Sequence, residues 1–253
     1  MSIYIAVFSP SGGTRSVAEA LAEGFSHSVT VIDLLYRKFD FETVPFSPED
    51  LCIAAVPAFG GRAPAVAVER LRRLQGNGAA AVAVAVYGNR AIEDTLVETA
   101  DALTEAGFRV CAGISAVAEH SIMRQFAFGR PDADDHEELA DFARQIREKL
   151  AAGNTAAPQL PGNRPYKERH RIAMNVQAGD GCIGCGSCER HCPVGAIPYE
   201  DPGQTNAEIC ISCMGCVDIC PMGARYADPA LVQASIQRLQ QFCEGRKPNE
   251  LFL

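Results

Sequence analysis

The sequence predicts an α/β protein: a five-stranded, doubly wound parallel sheet over residues 1–152, followed by a small α+β domain rich in cysteine. Three observations carry this. Short apolar runs alternate with segments whose apolar residues recur every three or four positions. Those runs are nearly continuous, as helices on both faces of a parallel sheet require. Eight of the 11 cysteines lie between Cys182 and Cys220. A length of 253 residues suits one large or two unequal domains.

Taken in order, Ile3–Phe8 is the first strand, and after a Ser/Gly turn Val17, Ala20, Leu21 and Phe25 mark the first helix. Strands follow at Ser28–Asp33 and Leu51–Val56, with Leu34–Asp50 left as a short or irregular helix. Ala65–Leu74 is a helix with Ala67, Leu71 and Leu74 on one side, and Ala79–Tyr87 is the fourth strand. Ile92–Ala106 is a helix, Arg109–Val117 the fifth strand, and Asp134–Ala152 a helix whose Leu139, Phe142, Ile146 and Leu150 share a face.

Residues 153–179 read as a linker. Gly153, Asn154, Pro158, Pro161, Gly162 and Pro165 break any helix, while Arg164, Lys167, Arg169 and Arg171 against Glu168 suit an acidic surface. Residues 180–226 form the cysteine domain, and 227–253 a docking helix and tail. That helix starts with Asp228 as N-cap and Pro229 at its first position. Its stripe of Val232, Ile236, Leu239 and Phe242 or Cys243 has to dock on something.

A net charge of −8 argues against nucleic acid, whose phosphates need a basic surface. The longest apolar stretch, Ala79–Val86, is far short of the ~20 residues of a membrane helix. Met1-Ser2-Ile3 runs into alternating apolar residues without a basic start, so no leader and a cytoplasmic location are expected.

One internal repeat stands out. Cys182–Pro193 and Cys210–Pro221 both read C-x2-C-x2-C-x3-C-P, each followed by a Gly-Ala pair. In such runs three thiolates wrap one cubane, and the fourth, carried off by the next turn, ligates the other cluster. The expected metal sites are therefore Cys182, Cys185, Cys188 and Cys220 for one cluster, and Cys210, Cys213, Cys216 and Cys192 for the second. Zinc sites instead pair two C-x2-C knuckles across a longer spacer. The pattern resembles bacterial two-cluster ferredoxins over residues 180–226, with every ligand present. Cys52 and Cys111 fall in buried strands and Cys243 has no partner at metal spacing, so all three are expected to be structural.

The loop Ser9-Pro10-Ser11-Gly12-Gly13-Thr14 between the first strand and helix fits neither nucleotide fingerprint. Its hydroxyls, glycines and helix N-terminus suit a phosphate, and equally a plain capped turn. Two further loops, Pro57–Pro64 and Tyr87–Arg90, follow the third and fourth strands. In a sheet of order 2-1-3-4-5 all three converge where the strand order reverses, beyond the carboxyl ends of the strands. This set resembles flavodoxin over about residues 1–150. The resemblance implies FMN, with Ser9, Ser11, Gly12, Gly13 and Thr14 on the phosphate. Ala58, Phe59, Gly60, Gly61, Tyr87, Gly88 and Asn89 would line the isoalloxazine ring. The chain has no tryptophan, so Tyr87 or Phe59 would have to stack on the ring, or leave it less covered. Arg62 and Arg90 are either solvated charges or stabilisers of a reduced flavin anion, and His120-Ser121 is a further candidate at the ring edge.

Together the halves are similar to the flavodoxin–ferredoxin fusions. That likeness implies an iron–sulfur flavoprotein with two [4Fe–4S] clusters and FMN, passing electrons between one- and two-electron steps. Its partner would be a redox protein with a basic docking surface. The alternatives are a flavin-dependent reductase of a small substrate (quinone or nicotinamide) and an electron carrier whose first domain holds no flavin. No acid–base pair stands out near the flavin loops, so no catalytic residue is assigned.

Overall fold

The computed structural model describes residues 1–25, 28–154 and 156–253. The predicted strands appear as β1 (Ile3–Val7), β2 (Val29–Asp33), β3 (Leu51–Pro57), β4 (Ala80–Tyr87) and β5 (Arg109–Val117). They pair in parallel in the order β2-β1-β3-β4-β5. Alternation of side chains across β3 and β4 splits the core in two. Cys52, Ala54 and Val56 with Ala81, Ala83 and Ala85 face one helical layer, and Leu51, Ile53 and Ala55 with Val82, Val84 and Val86 face the other.

The crossover helices are α1 (Gly13–Glu23), α2 (Ala65–Arg72), α3 (Thr95–Glu105) and α4 (Ala133–Ala151). Helix α4 begins with a reciprocal cap in which Asp132 accepts from the Asp135 amide and Asp135 from the Asp132 amide. Leu139, Ala143 and Ile146 are its buried apolar residues, with Phe142 and Leu150 packed at the margin. The stretch Leu34–Asp50 holds only a 3₁₀ turn, Phe41–Thr43.

The smaller domain is built from β6 (Gln177–Ala178), α5 (Ser187–His191), α6 (Gly215–Asp218) and β7 (Arg225–Tyr226), with β6 and β7 pairing antiparallel. The final helix, α7 (Pro229–Cys243), has the Asp228 side chain accepting from the Ala230 amide. Its Ile236 and Leu239 pack with Met123, Phe126 and the buried Cys243. Beyond it, β8 (Glu250–Phe252) joins the main sheet antiparallel to β5. The sheet is thus six-stranded, one strand more than the sequence suggested.

The proline-rich segment is fastened down rather than free. The buried Asp94 carboxylate accepts from the Asn163 and Lys167 amides at 2.8 and 2.7 Å. Glu98, 3% exposed, accepts from Arg62 at 2.7 Å and also from Arg169. Arg164 pairs with Asp101 at 2.5 Å. Thr155, within this segment, lies outside the described residues.

Candidate functional site

A cleft opens beyond the carboxyl ends of β1, β3 and β4. Of the residues expected around FMN, Ser11, Gly13, Thr14, Ala58, Phe59, Gly60, Tyr87 and Gly88 line it, and Ser9, Gly12, Gly61 and Asn89 do not. The Ser9 hydroxyl instead accepts from the Arg15 amide at 2.9 Å. Gly12 turns the chain into α1 with φ +88°, and Gly61 lies against Glu93. Asn89 is turned away and binds the end of α7.

The loop chemistry fits a phosphate. Gly12 at the N-cap offers no side chain to α1, and the first turn holds no acidic residue. With the Arg15 amide taken by Ser9, the Gly13 and Thr14 amides and the Thr14 hydroxyl are the donors left to an anion. Tyr87 is buried, and burial with the Glu250 carboxylate pushes its phenol up. Arg62 is not in the cleft at all. It is committed to Glu98 and lies over the Tyr166 ring at 4.7 Å. Arg90 does line the cleft, paired to Glu93 at 2.7 Å.

His120 lines the cleft as well. Its Nδ1 accepts from the Ile122 and Met123 amides at 3.1 and 3.2 Å, so the ring proton sits on Nε2. Burial pushes its pKa down to about 4 and keeps it neutral. Gly88 is required beside it, because a Cβ there would meet the His120 ring at 2.6 Å.

The remaining walls come from parts of the chain that the sequence did not mark for this purpose. Ile172 and Met174 enter from the linker, Ile211 and Ser212 from the second cysteine run, and Ser235, Arg238 and Leu239 from α7. Only the apolar stripe of α7 hinted at its role. Ser212 ties these pieces together: its hydroxyl donates to the Ile172 carbonyl at 2.6 Å and accepts from the Met174 amide at 3.1 Å.

The cysteines gather around two smaller cavities. One is lined by Cys182, Cys185, Cys188 and Cys220. The other is lined by Cys192, Cys210, Cys213 and Cys216. Among the described residues no group of His, Cys, Asp or Glu is drawn together as a single-ion site. Zinc would need its four sulfurs about 2.3 Å from one point. Backbone amides already face the sulfurs: Ala196 donates to Cys192 at 3.2 Å, Ala224 to Cys220 at 3.3 Å, and Ser212 to Cys210 at 3.4 Å. Burial drives the Cys213 thiol up to about 12, whereas the Ser187 hydroxyl and amide bring exposed Cys185 down. Four converging sulfurs with inward amides suit a thiolate-bound cluster.

The two domains meet at the loop between β1 and α1. His191 Nε2 lies 3.1 Å from the Pro10 carbonyl, and a Cβ on Gly215 would stand 3.0 Å from Pro10. Arg70 donates to the carbonyls of Leu34 and Pro193 at 2.5 and 2.7 Å.

Residues 172–225 match the 4Fe-4S dicluster domain family, so the matched unit starts inside the segment assigned to the linker. No curated protein sequence matches the chain. Among solved structures it is similar to rubredoxin oxygen:oxidoreductase from Desulfovibrio gigas, at 17% identity and TM-score 0.45, over 61% of this chain but only 37% of that one. It is also similar to a Streptococcus pneumoniae TIGR4 flavodoxin, at 20% identity and TM-score 0.41, over 59% of this chain and 99% of that one. Flavodoxin 2 from Bacillus cereus gives 19% and 0.43, over 59% and 99%. No helix among the described residues is long and apolar enough to cross a membrane. The chain thus joins a doubly wound sheet of parallel order 2-1-3-4-5 to a segment that matches the 4Fe-4S dicluster domain family.

Proposed function

We propose that the protein is an electron-transfer iron–sulfur flavoprotein with two [4Fe–4S] clusters and FMN. When bound, the clusters supply one-electron steps and the flavin one- or two-electron steps. Cys182, Cys185, Cys188 and Cys220 hold the first cluster, and Cys210, Cys213, Cys216 and Cys192 the second. Ser11, Gly13 and Thr14 hold the flavin phosphate, while Ala58, Phe59, Gly60, Tyr87 and Gly88 border the ring. His120, neutral and with its proton on Nε2, presents a donor to the cleft.

The observation that carries this reading is Ile211. It lines both the cleft and the second sulfur cavity, so one side chain separates them. Ser212 fixes that partition against Ile172 and Met174 of the linker. The first sulfur cavity lies toward solvent, with Cys185 exposed and Ile183 and Met222 66% and 54% exposed beside it. A partner protein therefore reaches the first cluster, and the second lies on the way to the flavin. Side chains of α7 cover the cleft, which favours an electron carrier over a reductase of free small molecules.

The route is tested with Cys213→Ala. That variant should keep its flavin and a reducible first cluster, yet lose rapid bleaching of the flavin by a one-electron protein donor. Bleaching at the unsubstituted rate would defeat the route.

A further inference from the structure

The two halves of the cysteine repeat differ at one buried position. Five residues after the last cysteine of each run, the first copy carries Ile197 and the second Arg225. They are 3% and 2% exposed. Isoleucine needs no partner there, but a buried guanidinium needs a counter-charge. Among the described residues Arg225 has no carboxylate partner. Its Nη1 donates to the Pro202 carbonyl at 2.7 Å and faces the Cys188 Sγ at 3.8 Å, and its Nη2 bonds the Thr205 hydroxyl. Its Nε–H is buried with no acceptor.

These contacts sit on the wall between the two sulfur cavities. Cys188, Pro202 and Arg225 line the first, and Thr205 and Cys216 the second.

We infer that Arg225 is a positioning residue shared by both clusters, its buried guanidinium serving as their counter-charge and favouring their reduced states. The inference rests on the two-cluster reading above. An oxidised cluster with four thiolates carries about −2 and takes one electron from a one-electron donor to reach about −3. A fixed cation in a low-dielectric interior stabilises the more negative state more, and salt screens it little. The sulfur that Nη1 faces, Cys188 Sγ at 3.8 Å, belongs to the first cluster.

The test compares Arg225→Ile and Arg225→Lys with the unsubstituted chain, all reconstituted without oxygen. Iron and sulfide are counted, and midpoints are read by EPR during titration with dithionite. The Ile variant should keep its iron and show more negative midpoints. At the first cluster the fall should be at least tenfold in the reduction equilibrium, about 59 mV for one electron. The Lys variant should recover most of that shift. Full iron with unchanged midpoints in the Ile variant, or Lys behaving like Ile, would overturn the inference.

If the Ile variant loses its clusters, the full-length chain labelled with nitrogen-15 arginine decides. Arg190→Gln serves as background, because Arg190 also bonds the first cysteine run, through the Cys185 carbonyl. Nitrogen-15 modulation in pulsed EPR of the reduced protein supports the inference, and its absence overturns it. About four irons in the unsubstituted chain would defeat the two-cluster reading, while a shifted midpoint of the remaining cluster would still support Arg225.

Discussion

The side-chain amide of Asn89, in the loop after β4, donates to the Cys243 carbonyl at the last residue of α7, at 2.6 Å. The same nitrogen donates to the Gly245 carbonyl at 2.7 Å. A loop expected to touch the flavin thus anchors the helix that covers the cleft. Asn89→Ala leaves two carbonyls without their donor and should cost about 1–3 kcal/mol. Denaturant unfolding measures the loss, and FMN affinity should fall with it. Unchanged stability would show that α7 is held by its apolar contacts alone.

His120 gives the protein a defined pH response. The unfolded chain takes up this proton near pH ~6.5, whereas the folded protein resists until about 4. Stability is therefore present above the higher value and is lost as pH falls toward the lower one. His120→Gln should flatten that slope. Urea midpoints at about pH 7.5 and about 5.5 test this, and equal slopes in both proteins would reject it.

Glu98 is the buried centre of the linker latch, receiving both Arg62 and Arg169. Removing one partner of such a group strands the others, at about 3–5 kcal/mol. Glu98→Gln should therefore destabilise the fold and expose residues 156–171 to protease. An unchanged cleavage pattern and unfolding midpoint would show that the segment is held elsewhere.

Cys185 is assigned to the first cluster only. Cys185→Ala should lower the iron content from about eight to about four per chain and leave the second cluster's EPR signal in place. Loss of both signals together would contradict independent binding.

Much of this was legible because its signals are local. A helix face or a buried strand is written in the spacing of neighbouring residues, and β5 falls on its predicted span, Arg109–Val117. The cysteine grouping was equally readable, since three of each four ligands sit within one turn-rich run. What the sequence hid depends on distant pairing. The three-residue β8 meets β5 across more than 130 positions, Ser115 opposite Glu250. Nothing near Asn89 announces that α7 will end beside it. Arg62 looked like a flavin neighbour because it follows a glycine loop, but Glu98 and the linker claim it.

The most direct test of the shared wall at Ile211 is composition. Protein purified without oxygen is assayed for iron, acid-labile sulfide and flavin per chain. The account predicts about eight irons, about eight sulfides and about one FMN together. Iron without flavin, or flavin without iron, would contradict it.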